Sequence, residues 1–186
     1  MKRLCLCGVL VCALMAAPAG ASTFIAMSDL ELVSGSDAVV VGEVLYTYSY
    51  WNPEGTLIFT DAVLHVQESV VGGASGLVAV RTPGGQIGDF GVDAHGFPSF
   101  EEGQRHLLYL QRTPEGTLSV TGFQQGQYRV VRRSDGTDVA IPALRGVRLL
   151  QADGQAAPAP RAVPLEQLKQ TIRAQAAGLN RQPRVK

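Results

Sequence analysis

The sequence predicts a mainly β domain, a small barrel or sandwich with a short N-terminal helix and a C-terminal helix. Three observations predict it. Stretches rich in β-branched and aromatic residues recur at short spacing from Ala38 onwards. Gly/Pro turn signals separate them, at 52-NPEG-55, 113-TPEG-116 and Asp135-Gly136, with no helices between. Helical spacing of apolar residues is confined to the two ends.

The first residues of the 186-residue chain predict a leader. Lys2 and Arg3 precede an apolar run over residues 4–16, and Ala19-Gly20-Ala21 supplies a small-x-small cleavage site. That order predicts a signal peptide over 1–21 with Ser22 as the mature start, and so an exported protein, periplasmic or extracellular. The run is too short to span a bilayer, and no later apolar run approaches that length. Cleavage would remove Cys5, Cys7 and Cys12, the only cysteines. An exported chain of this kind has no disulfide and no thiolate chemistry, so its core alone must hold it together. About 165 residues are enough for one domain with a sizeable core. Lys+Arg and Asp+Glu number 16 each. Losing Lys2 and Arg3 takes the balance from zero to about −2, which argues against a nucleic-acid surface.

The β-barrel domain is expected over 22–150. Residues 28–36 suggest a short helix, with Leu30 and Val33 spaced to face the core. The runs 38-AVVVGEVLYTYSYW-51 and 56-TLIFTDAVLHVQESV-70 then read as a hairpin about the 52–55 turn, where Pro53 presets φ and Gly55 relieves the exit. Further strands are expected at 77–82, 105–111, 117–123, 127–133 and 137–143. Residues 151–163 have linker composition. Pro164 opens a helix over 164–178, striped by Leu165, Leu168 and Ile172. A basic tail over 179–186 completes the chain.

The chemistry-bearing candidates are few. The stretch 84-GGQIGDFGVDAHGF-97 is glycine-rich, but it leads into Pro98 and a strand rather than a helix N-terminus, so it is no phosphate loop. Asp89, Asp93 and His95 are candidate metal ligands, Asp93 and His95 being two apart on one face of an extended chain. The calcium-loop and HExxH spacings are absent, and a solvated loop with turn-forming aspartates is the favoured reading. His65 and His106 fall inside strands and read as structural. No GxSxG elbow or other catalytic constellation is present, nor any cofactor motif.

The more informative surface is aromatic. Tyr46, Tyr48 and Tyr50 alternate along one face of the first long strand. A tight turn pairing Trp51 with Thr56 would set Tyr48 opposite Phe59, Tyr50 opposite Leu57 and Thr47 opposite Thr60. Tyr46, Tyr48, Tyr50, Trp51 and Phe59 are therefore the candidate binding residues, suited to stacking on a sugar, a base or a peptide. The competing expectation is that the stripe packs under a loop or the C-terminal helix.

The phrases 37-DAVVVGEV-44, 100-FEEGQRHLLYL-110 and 122-GFQQGQYRVV-131, with Gly84-Gly85 between, resemble a loose class of uncharacterised bacterial exported proteins over roughly residues 28–133. The strand order also resembles the netrin-like modules, including tissue inhibitors of metalloproteinases. That resemblance implies an OB-like, partly open β-barrel of about five strands. Those inhibitors use a mature N-terminal cysteine to chelate zinc, which this chain lacks, so no site residue carries over. The leading expectation is a non-enzymatic exported binding module for a protein or a cell-envelope polymer. A protease inhibitor or protease-associated protein is the alternative, and a metal-dependent hydrolase using Asp89, Asp93 and His95 is a third.

Overall fold

The computed structural model describes residues 22–181, with side chains described to Leu179. The expected signal peptide and the last residues of the basic tail lie outside the described residues. In chain order the strands are β1 (Ser22–Ile25), β2 (Ala38–Trp51), β3 (Ile58–Val71), β4 (Gly76–Pro83), β5 (Gly85–Ile87), β6 (Phe90–Val92), β7 (Arg105–Arg112), β8 (Leu118–Val120), β9 (Gln127–Arg132), β10 (Asp138–Pro142), β11 (Val147–Leu150) and β12 (Val163–Pro164). Two helices join them, α1 (Asp29–Ser34) and α2 (Leu165–Arg181). No helix among the described residues is long and apolar enough to cross a membrane.

Five strands form a barrel that closes on itself in the order β2-β3-β4-β8-β7 and back to β2. This corrects the expected partly open barrel. Closure depends on β8, which pairs antiparallel with β7 and meets β4 in parallel at Val80 and Leu118. The 113–117 turn makes this possible. Thr113 N–H donates to Thr117 O at 2.7 Å, and Gly116 takes the left-handed conformation (φ 84°) that glycine adopts without a Cβ clash. The expected strand over 117–123 stops at Val120. Gly122 and Phe123 both take positive φ, 68° and 59°, and a 3₁₀ turn over Phe123–Gly126 follows.

Apolar residues on both faces of β2 and β7 explain why their sequences run nearly unbroken. Ala38, Val40, Val44, Leu108 and Leu110 face the barrel interior with Leu64 and Val80. Val39, Val41, Leu107 and Tyr109 face outward, onto Leu32 and Val33 of α1 and Leu165, Leu168 and Ile172 of α2. Leu30 does not join them and is 49% exposed, which corrects the expected core face of the first helix. The phase is set by Ser28, whose hydroxyl accepts from Glu31 N–H while Glu31 reaches back to the Ser28 N–H. α2 is fixed to β3 by charge as well. Glu68 accepts from Lys169 and Arg173, each at 2.6 Å.

Strands β1 and β11, which pair in parallel, carry no expected counterpart from sequence. The motif 124-QQGQ-127 ties them to the barrel. Gln125 accepts from Met27 N–H and donates to Ile25 O. Gln124 accepts from Arg145 N–H and donates to Phe97 O, and Gln127 donates to Ser99 O. Inside the composition-defined linker, residues 151–155 close another turn and Leu150 bridges to Ala156.

His106 lies on the inner side of β7, 2% exposed, with the Phe100 ring edge-on at 5.6 Å. Burial first, and the positive charge of Arg129 second, lower its pKa from 6.5 to about 4. The unfolded chain therefore binds a proton that the fold refuses. Stability should fall by up to about 3 kcal/mol as the pH drops from 6.5 towards 4. Urea unfolding across that range should show the loss, and His106→Gln should flatten it. Equal slopes for the two proteins would contradict the assignment.

Candidate functional site

The β2–β3 hairpin extends beyond the barrel, and one residue decides what it presents. At Leu45 the pairing skips, so that Val44 lies opposite Leu64 and Tyr46 opposite Val63. A one-residue bulge reverses the faces of everything that follows. Val44 points into the barrel, and Tyr46, Tyr48 and Tyr50 point out. Thr47 and Ser49 inherit the inner side, with Ala62, Thr60 and the buried Ile58 across from that face.

The expected register is corrected by two residues. Tyr50 pairs with Phe59, Tyr48 with Asp61, Thr47 with Ala62 and Trp51 with Ile58. The turn at 52–55 forms as read, with Gly55 N–H donating to Asn52 O at 2.9 Å. Pairing resumes late because the Asn52 side chain takes the next two amides. Its Oδ1 accepts from Thr56 N–H at 2.7 Å and from Leu57 N–H at 2.8 Å.

Two residues at the centre of the outer face carry no role in the sequence reading. Asp61 on β3 and Arg81 on β4 are cross-strand partners, joined through Nε to Oδ1 at 2.8 Å and through the terminal nitrogen to Oδ2 at 3.0 Å. The Tyr48 hydroxyl donates to the same carboxylate at 3.2 Å and the Tyr50 hydroxyl at 3.1 Å. The guanidinium lies 5.3 Å from the Tyr50 ring centre and 5.9 Å from that of Phe59. Burial pushes the Asp61 carboxyl up, but the Arg81 hydrogen bonds and charge, with the two hydroxyls, outweigh it and hold it below the ordinary carboxylate value. Burial and then the Asp61 charge push Tyr50 up to about 12. The signal in sequence was a lone carboxylate in 58-IFTDAVL-64 and a lone guanidinium in 77-LVAVRT-82, each inside an apolar strand where an unpaired charge is rare.

This network fixes the stripe without covering it. Tyr48 and Tyr50 stack with centres 5.7 Å apart, and Tyr46 follows at 6.4 Å. Tyr46 and Tyr48 are each 48% exposed, while Tyr50 and Phe59 are half-buried. The expected alternative, a stripe packed under a loop or α2, is not what the described residues form.

The glycine-rich stretch 84–98 folds as a small β5–β6 hairpin against the inner side. Gly85 makes this approach possible. A Cβ there would stand 2.2 Å from Thr60 Oγ1 and 2.4 Å from Ser49 Oγ, and its φ of 133° disfavours other residues. Trp51 meets Phe90 edge-on at 6.1 Å across the top. Between the hairpins and the 97–100 segment lies an open groove of about 720 Å³, floored by Thr47, Ser49, Thr60 and Thr82. Asp93 and His95 come together on its far side, Nδ1 to Oδ2 at 3.4 Å, both exposed. Asp89 sits apart in the turn between β5 and β6. Among the described residues no three His, Cys, Asp or Glu side chains gather in a metal-binding group. His65 is exposed on β3.

No protein-family model matches this chain, and no curated protein does. The reading of the site therefore rests on its geometry.

Asp61→Asn keeps the shape of the carboxylate and removes its charge, leaving Arg81 without a counterion. The expected loss of stability is about 2–3 kcal/mol, reduced because Arg81 is one-third exposed. Chemical denaturation of the variant measures it. In the same protein the Tyr50 phenol should ionise at lower pH in a spectrophotometric titration, and an unmoved titration would show that Asp61 does not govern it.

Proposed function

We propose that this chain is an exported, non-enzymatic binding module for a protein or a cell-envelope polymer, engaging its partner through the outer face of the β2–β3 hairpin. The observation that carries the reading is the stripe of Tyr46, Tyr48 and Tyr50, the last two bonded to Asp61 and the first two half open to solvent. Aromatic surface on a paired strand binds at low entropic cost where the ring is already held by hydrogen bonds, as those of Tyr48 and Tyr50 are by Asp61. Trp51, Leu57 and Phe90 are exposed as well, Trp51 and Phe90 on the opposite face of the hairpin from the tyrosines.

An OB-like barrel is the fold we propose for this scaffold. Its support is the closed order β2-β3-β4-β8-β7, a Greek-key path in which the third and last barrel strands, β4 and β8, meet in parallel. Export rests on the leader sequence, and the core needs no disulfide to close.

The test uses the chain produced with its own leader, immobilised and exposed to envelope and culture-fluid extract of its source. Tyr46→Ala with Tyr48→Ala should weaken the partner at least about tenfold, with far-UV circular dichroism unchanged. Tyr48 and Tyr50 both bond Asp61, and Tyr50 is left in place because it is the more buried of the two. Full retention of every captured partner by the folded double variant would remove this surface from the function.

A further inference from the structure

Over residues 39–43, β2 has a neighbour on each edge, β3 on one side and β7 on the other. The second neighbour ends at the turn over 101–104. Val44 N–H donates to Gln104 O at 2.9 Å and Gly103 N–H to Val44 O at 2.8 Å, after which that chain leaves the sheet. Beyond this point residues 46–51 pair with β3 alone.

In an antiparallel pair, residues alternate between those that bond to the partner and those whose N–H and C=O point away. The phase is set at the tip, where Asn52 N–H donates to Leu57 O at 2.8 Å. Tyr50, Tyr48 and Tyr46 therefore turn their backbone groups towards β3. Thr47, Ser49 and Trp51 turn theirs off the edge. Two further bonds agree with this phase. Thr47 N–H points outward to Glu102 Oε1 at a long 3.4 Å, and Ile58 O, opposite Trp51, accepts from Gly84 on the far side of β3. Among the described residues, the amides of Ser49 and Trp51 have no hydrogen-bond acceptor.

Open edges of this kind are ordinarily blunted by a lysine, a proline or a bulge. Residues 46–51 contain no lysine and no proline, and the bulge at Leu45 lies before them. We infer that this edge receives an extended peptide segment of a partner protein by strand addition at Thr47, Ser49 and Trp51. The inference rests on the binding-module reading and names its partner class. Outward donors and acceptors repeating every ~6.8 Å match an extended backbone, which a sugar chain does not present. Alternate side chains of the added strand would continue the tyrosine face on one side and lie beside Thr47 and Ser49 on the other.

Charge selects among occupants. Glu54 stands in the turn at one end of the edge and Glu101 and Glu102 at the other, while Arg81 is committed to Asp61. A second copy of the same edge would set carboxylate against carboxylate in either strand direction. A segment with Lys or Arg at its ends fits, and displaces Glu102 from the Thr47 amide.

The experiment screens the full chain against a displayed library of random linear peptides of about twelve residues. Peptides that bind should alternate apolar and polar residues and carry terminal Lys or Arg. Ser49→Pro removes one outward amide at a position with no bond to β3, so the edge is capped without breaking the hairpin. It should weaken the selected peptides at least about tenfold. Ser49→Ala, which loses only the hydroxyl bond to Thr60, should bind as the parent does. A library yielding no binder, or binders indifferent to Ser49→Pro, overturns strand addition. So does concentration-dependent dimerisation abolished by that substitution, which would assign the edge to a second copy. Binding lost in Tyr46→Ala with Tyr48→Ala but kept in Ser49→Pro would leave the binding-module reading standing and remove this one.

Discussion

The bulge at Leu45 is the feature on which the rest of the molecule depends. A β-strand alternates its faces strictly, so without an inserted residue the even-numbered positions of β2 would all face one way. Ala38, Val40 and Val44 face the barrel interior, and three tyrosines in the same phase would have to enter it. They would not fit beside Leu64, Leu108 and Leu110, which already fill that space to full burial. One unpaired residue turns them outward instead. The same strand thus contributes a core element over its first half and an exposed aromatic face over its second.

The first half can bear that division because it is held from every direction. Residues 38–41 are buried on both faces, between the barrel core and the layer of α1 and α2. Two neighbouring strands pair with residues 39–43. No cysteine lies among the described residues, and glutamine side chains bond backbone groups in segments distant along the sequence. A buried amide that satisfies both its oxygen and its nitrogen specifies one arrangement of those loops, since any other would leave a polar atom without a partner. His106 belongs to the same layer and marks where the interior becomes too dry for charge.

Much of this was legible in the sequence where burial is two-sided. The runs 38-AVVV-41 and 107-LLYL-110 read as strands because nothing else buries so many consecutive apolar residues at that length. The α2 stripe of Leu165, Leu168 and Ile172 was equally plain, and all three are buried. The alternation of Tyr46, Tyr48 and Tyr50 was legible too, but not the side of the sheet they occupy. Leu45 carries no signature of a bulge, being an ordinary strand residue. The hairpin register failed for a related reason. A turn motif fixes four residues, whereas the Asn52 side chain extends its hold to Thr56 and Leu57. Closure of the barrel by the three residues of β8 depends on distant pairing with β4, for which a local pattern has no cue.

The open edge and the tyrosine face are two consequences of one event, the departure of β7 from β2 just before the bulge. Had the partner strand continued to residue 51, the edge amides would be satisfied and the stripe would lie on an interior strand of a wider sheet. Because it leaves at the 101–104 turn, the backbone donors of Thr47, Ser49 and Trp51 and the side chains of Tyr46 and Tyr48 are released at the same place. Asp61 and Arg81 then supply what the missing strand would have given, a rigid underside that keeps the projecting hairpin in register. Unpaired ladder groups and aromatic surface are thus joined on the outer half of β2, apart from the core that its inner half completes.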